Sequence, residues 1–262
     1  MFSKTKGAAF MPYVCCGDPN PEFTLKLAKA LAQNGADAIE LGIPFSDPIA
    51  DGKSVQAASA RALVAGMTPK KAIGIIGKLR KEGIGVPIVA MTYYNIPFSF
   101  GEEKFAVELK KAGAQGLIVP DVPIDECGPL SAACRKAGLD LVQLATPNCS
   151  DGRLRKIAAR TKGFLYAVSV VGITGARGRM DARAIRLVKR AKRMGVKVAA
   201  GFGISSPAQA REFEQAGADG VIVGSRLADL YSRFISGKLI GERRALAAAS
   251  KFAREMKRAC LG

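Results

Sequence analysis

Asn34-Gly-Ala-Asp-Ala-Ile-Glu-Leu-Gly42 contains, in nine residues, the unit from which the chain is built. Gly35 stops the preceding helical pattern by supplying a left-handed residue just past the helix end. Ala38, Ile39, Leu41 and Ile43 then form a short apolar run bounded by Gly35 and Pro44, which reads as a buried strand. The unit recurs as Ala112-Gly-Ala-Gln-Gly-Leu-Ile-Val-Pro-Asp, Ala137-Gly-Leu-Asp-Leu-Val-Gln-Leu, Met194-Gly-Val-Lys-Val-Ala-Ala-Gly and Ala216-Gly-Ala-Asp-Gly-Val-Ile-Val-Gly. Apolar strands without alternation imply parallel pairing with both faces covered.

Working outward, strands are expected at 8–16, 38–43, 87–93, 116–120, 140–145, 164–170, 197–202 and 220–223. Helices are expected near 22–33, 68–82, 102–112, 126–137, 152–161, 183–194, 207–216 and 242–258, with a short extra one at 54–63. Eight strands alternating with helices in 262 residues predict an α/β fold, a single (β/α)8 TIM barrel over residues 1–262. An open doubly wound sheet shares the alternation, but the dinucleotide fingerprint is missing after the first strand. No linker or low-complexity tract divides the chain.

Composition narrows the chemistry. There is no histidine, so acid–base work falls to carboxylates, Tyr, Lys or Cys. The six cysteines form no Cys-x-x-Cys pair, which argues against a zinc site. Forty basic against 22 acidic residues give a net charge of +18. Between Arg153 and Lys197 there are 14 Lys or Arg and one acid, Asp181. These cations fall on amphipathic helical patterns with few aromatics among them, so they read as solvated helix faces rather than a nucleic-acid surface. No apolar run approaches the roughly 20 residues of a membrane span, and the N-terminus lacks a signal-type apolar stretch. A cytoplasmic protein that binds neither membrane nor nucleic acid is expected.

The same strand carries an anomaly. Glu40 stands inside the apolar run, and Asp47 and Asp51 follow in the loop Pro44-Phe-Ser-Asp-Pro-Ile-Ala-Asp-Gly52. A buried glutamate is costly unless paired or used. The three carboxylates read either as a converging site or as a capping cluster for the next helix. In a barrel, chemistry gathers at the C-terminal strand ends, where Glu40, Asp51, Asp121 and Tyr166 fall. Gly172–Gly178, Gly201-Phe-Gly203 and Gly224-Ser225 follow the sixth to eighth strands, where backbone amides can cradle a phosphate. Tyr13, Tyr93, Tyr166 and Phe202 serve equally well as core or as walls of an aromatic pocket.

Residues 40–52, Glu-Leu-Gly-Ile-Pro-Phe-Ser-Asp-Pro-Ile-Ala-Asp-Gly, resemble the signature of the tryptophan synthase α subunit family. Gly17-Asp-Pro, Tyr93-Tyr-Asn, Pro120-Asp-Val-Pro123, Gly172-Ile-Thr-Gly175, Gly201-Phe-Gly-Ile-Ser205 and Gly224-Ser225 follow in the family's order. The resemblance implies a barrel lyase that splits indole-3-glycerol phosphate into indole and glyceraldehyde 3-phosphate, in tryptophan biosynthesis. It implies Glu40 as the acid–base residue and Asp51 as the partner of the indole nitrogen. Tyr166 matches a pocket tyrosine, Tyr13 an aromatic wall, and Gly175, Gly203, Gly224 and Ser225 the phosphate binders. Thr174 matches a loop threonine that engages the aspartate on closure; Tyr93 and Phe202 complete the expected substrate contacts. No cofactor is implied for this chain. Pyridoxal phosphate is expected only in a partner β subunit, in an α2β2 heterotetramer. Cys15-Cys16 replace the more usual Thr-Leu, and Val170-Val171 stand where polar residues are commoner. Two rival readings are another phosphate-binding barrel enzyme and a basic, non-catalytic binding protein.

Overall fold

The structure is a computed structural model that describes residues 6–168, 181–201, 203–236 and 239–262. The first third runs β1 (Ala9–Cys15), α1 (Pro21–Gln33), β2 (Ile39–Gly42), α2 (Lys53–Val64), α3 (Pro69–Lys81) and β3 (Ile88–Met91). It continues with α4 (Asn95–Phe100), α5 (Glu102–Ala112), β4 (Gly116–Ile118), α6 (Gly128–Ala137), β5 (Asp140–Ala145), α7 (Asp151–Arg160) and β6 (Leu165–Val168). The last part holds α8 (Ala182–Lys192), β7 (Val198–Gly201), α9 (Pro207–Gln215), β8 (Gly220–Val223) and α10 (Ser225–Ser232). A small hairpin, β9 (Ile235–Ser236) with β10 (Leu239–Ile240), leads to α11 (Glu242–Ala259). Strands β1 to β8 pair in parallel, in chain order, and close into the TIM barrel that the sequence predicts.

Local chemistry explains the helix ends. Asn20, Thr68, Ser150 and Ser206 each accept a backbone N–H in the first turn of the helix they precede. At the other end, the glycine of each recurring unit (Gly35, Gly113, Gly138, Gly195 and Gly217) has a positive φ. Three of these units carry a further device. In Gly35-Ala-Asp37, Gly113-Ala-Gln115 and Gly217-Ala-Asp219 the third side chain accepts the N–H of Phe10, Ile88 and Val198 at 2.7, 2.7 and 2.8 Å. A cation completes each brace: Lys257 on Asp37, Arg80 on Gln115, Lys192 on Asp219. These braces lie at or just before the start of β1, β3 and β7, the end of the barrel opposite Glu40's loop.

Helices α4 and α10 and the hairpin were not expected from the sequence. Both helices sit inside stretches read as strand-to-helix loops. Helix α10 forms because Leu227, Ala228 and Tyr231 fall on one buried face.

Candidate active site

Glu40 lies in register with Tyr13 of β1 and Val89 of β3. Strand alternation sends Ile39 and Leu41 outward to the helices and Glu40 into the barrel. The side chain is 1% exposed, and among the described residues its Oε2 has no hydrogen-bond partner. Burial, and then the nearby charge of Asp51, push its carboxyl up to about 8.

Asp51 reaches the same space from the loop after β2. Tyr93, two residues beyond β3, donates its hydroxyl hydrogen to Asp51 Oδ2 at 3.0 Å and accepts the N–H of Ala50 at 3.0 Å. Its ring stacks on Phe45 with centroids 5.3 Å apart. Tyr93 thereby holds both ends of the loop. Burial raises Asp51 to about 6, against the opposing pull of the Tyr93 hydrogen bond. Asp51 titrates first, beside a still neutral Glu40, so its charge acts on Glu40 more than the reverse. Asp47 does not join them: it is exposed and accepts from Ser46 at 2.6 Å. Asp121 accepts the N–H of Tyr94 at 3.0 Å, which ties two strand-end loops together.

Tyr13 and Tyr166 complete the interior. Burial comes first, and the charges of both Glu40 and Asp51 add to it, in holding each phenol well above its usual range. Each ring occupies space left by a glycine on the next strand. A Cβ at Gly42 would sit 2.1 Å from Tyr13 Oη, and one at Gly201 would sit 2.5 Å from the Tyr166 hydroxyl. Gly224 abuts Tyr13 in turn, 3.2 Å from its Cβ if it carried one. Gly224 and Ser225 open α10, whose first backbone N–H groups have no helical acceptor. Gly203 has φ +82°, a conformation suited to glycine. The carboxylate loop touches this corner: a Cβ at Gly52 would lie 3.4 Å from Ser225 Oγ. Beside Ala50 a cavity of about 570 Å³ opens against Pro120, Ile124, Gln143 and Thr146. Thr174, Gly175 and Phe202 lie outside the described residues.

A profile described as "Tryptophan synthase alpha chain" matches residues 2–260. The chain belongs to the tryptophan synthase alpha chain family. A relative from Methanosarcina acetivorans, itself a tryptophan synthase alpha chain, is 45% identical over 98% of this chain and 90% of its own length. One from Geobacillus kaustophilus is 46% identical over 83% and 81%. A structure of the tryptophan synthase α2β2 complex of Pyrococcus furiosus superposes with a TM-score of 0.88 at 39% identity, covering 96% of this chain and 98% of that one. Tryptophan synthase alpha chains are lyases of tryptophan biosynthesis that cleave indole-3-glycerol phosphate, and in this family pyridoxal phosphate belongs to the β subunit. No helix among the described residues is long and apolar enough to cross a membrane.

Three residues of this region escaped the sequence reading. Asp18, Arg61 and Tyr231 form a cluster around the fully buried Asp18, between the helices that open at Gly52 and Gly224. Asp18 lies in the quoted Gly17-Asp-Pro motif and could have been flagged there. Arg61 and Tyr231 carry no local signal.

Proposed function

We propose that the family's lyase reaction runs in this chain on Glu40 and Asp51. Glu40, neutral below about 8, gives its proton to C3 of the indole ring. The ring nitrogen becomes iminium-like, and ionised Asp51 accepts its N–H and offsets the charge. The Glu40 carboxylate then takes the proton of the adjacent side-chain hydroxyl. That oxygen forms the aldehyde carbonyl as the carbon–carbon bond breaks. The electron pair of that bond returns to the ring and restores neutral indole. Glu40 ends protonated, so the cycle closes without another proton source.

Supporting residues follow from where they stand. Tyr13, Tyr93 and Tyr166 line the indole end. The amides at Gly224 and Ser225, with Gly203, hold the phosphate. Thr174, Gly175 and Phe202 complete the set on the family resemblance. In this reading the chain needs no cofactor of its own, works in the cytoplasm and pairs with a pyridoxal-phosphate β subunit that consumes the indole. The α2β2 assembly of the Pyrococcus furiosus protein supports that pairing.

The observation that carries the reading is a buried glutamate with an unpartnered oxygen, held protonated beside an aspartate that ionises earlier. The test is indole release by Glu40→Gln and Asp51→Asn. Each should lose at least ~10²-fold in kcat while the substrate still binds. For the wild type, kcat/KM should fall below about pH 6 and above about pH 8. Variants within a few-fold of wild type, or a flat profile from pH 5 to 9, would remove these residues from the mechanism. The chain has no tryptophan, so bound indole can be excited at wavelengths beyond the absorption of its five tyrosines.

A further inference from the structure

Asp18 is fully buried directly after β1, and two helices hold it. Arg61 of α2 donates from Nε to Oδ1 at 2.7 Å and from Nη2 to Oδ2 at 2.8 Å. Tyr231 of α10 donates its hydroxyl hydrogen to Oδ2 at 2.6 Å. The N-cap of α2 is Gly52, next to Asp51, and the N-cap of α10 is Gly224. The two helices therefore meet at their starts, where Gly52 faces Ser225, and are tied again through one carboxylate further along.

We propose that Asp18, Arg61 and Tyr231 are positioning residues that fix the span between Asp51 and the amide groups of α10, and so set the length of indole phosphate the site accepts. The proposal rests on the assignment above of Asp51 to the ring nitrogen and α10 to the phosphate. A ligand that touches both ends gains from the second contact only if the two subsites stand at its own length. A loosened span lowers that gain and leaves each end as sticky as before. Stability alone gives little reason for the charges, because a buried ion pair is often replaceable by apolar residues of similar size. A bidentate arginine–carboxylate fork supplies direction and distance, which apolar packing specifies less sharply.

The experiment compares Tyr231→Phe, Arg61→Lys and Asp18→Asn with wild type in equilibrium binding. The ligands are an indole-alkyl phosphate of substrate length, the same compound one methylene longer, indole alone and glyceraldehyde 3-phosphate alone. Tyr231→Phe and Arg61→Lys should each weaken the substrate-length ligand by about 3- to 10-fold, the size of one ordinary hydrogen bond's net contribution. Each should change either fragment by less than about 2-fold and narrow the preference for the shorter phosphate. The double variant should be little worse than the poorer single one, because either change frees the span. If Asp18→Asn does not fold, Tyr231→Phe carries the test, since its ring keeps its contact with Phe23 at 5.5 Å. Equal losses for whole ligand and fragments, or no loss in a folded variant, overturn the proposal. Asp51→Asn and Gly224→Val are measured alongside. If Gly224→Val leaves glyceraldehyde 3-phosphate binding intact, or Asp51→Asn keeps kcat within a few-fold of wild type, the site assignment has failed. If both controls behave as assigned and the three positioning variants show no split, only the positioning role has failed.

Discussion

Glu40→Gln should make the protein more stable at alkaline pH as it silences the enzyme. Burial holds the Glu40 proton to about 8 rather than the ordinary 4.5. Between those values the folded chain keeps a proton that the unfolded chain has released. Stability therefore falls as pH rises through this window. From pH 5 to pH 8 the difference integrates to about 3.5 kcal/mol, at ~1.4 kcal/mol per tenfold in proton affinity. Glutamine has nearly the same shape and does not titrate. Its buried amide carries a cost of about 1–3 kcal/mol, but that cost is the same at every pH. The stability gap between variant and wild type should therefore move by about 2 to 4 kcal/mol in the variant's favour between pH 5 and pH 8. For a chain of this length that is about 5 to 10 °C in Tm. Asp51 titrates in both proteins and largely cancels from the comparison. The assay is urea and thermal unfolding by circular dichroism at pH 5, 6, 7 and 8, for both proteins. A gap that stays constant with pH would mean Glu40 is not held protonated, and the proton-donor role would go with it.

Three further outcomes test separate parts of the account. Tyr93→Phe removes the hydroxyl that donates to Asp51 and lowers its pKa; the acid limb of kcat/KM should move upward and kcat should fall about 3- to 10-fold, whereas an unmoved limb would show that the hydrogen bond does not tune Asp51. Gly42→Ala places a methyl 2.1 Å from Tyr13 Oη and should cost about 1–3 kcal/mol; Tyr13→Ala in the same background should recover part of it, and additive losses would rule out the steric conflict. Mixing the chain with the β subunit of its own organism should give a complex of α2β2 mass that forms indole faster than the chain alone, and separate elution with unchanged turnover would count against the pairing.

Local anomalies were legible in the sequence, and long-range partnerships were not. The glycine that ends each unit announces itself, because few other residues tolerate that backbone. Glu40 announces itself as a charge inside an apolar run. Asp47 and Asp51 look alike on paper, four residues apart in one Pro-rich loop. The difference between them is the hydroxyl of Tyr93, 42 residues further along the chain. Gly42 has no left-handed backbone to betray it; its need comes from the Tyr13 ring on the neighbouring strand. Arg61 is one of 40 cations, and nothing nearby says that its partner is a carboxylate buried 43 residues earlier.

Asp18 and Glu40 show how the barrel divides its buried acids. Both are withdrawn from water, at 0% and 1% exposure. Asp18 receives three donors and stays fixed between two helices. Asp37 and Asp219, at the opposite end, each accept a strand N–H and a lysine. Among the described residues Glu40 has no such arrangement: its Oε2 has no hydrogen-bond partner, and its proton is held by burial first and by the charge of Asp51 second. Pairing Glu40 with an arginine would relieve the cost and also abolish the acid, because the charge would pull its pKa down. Among the described residues the fold supplies cations to Asp18, Asp37 and Asp219, so the unpartnered oxygen of Glu40 fits the proton transfer proposed for it better than a failure of packing.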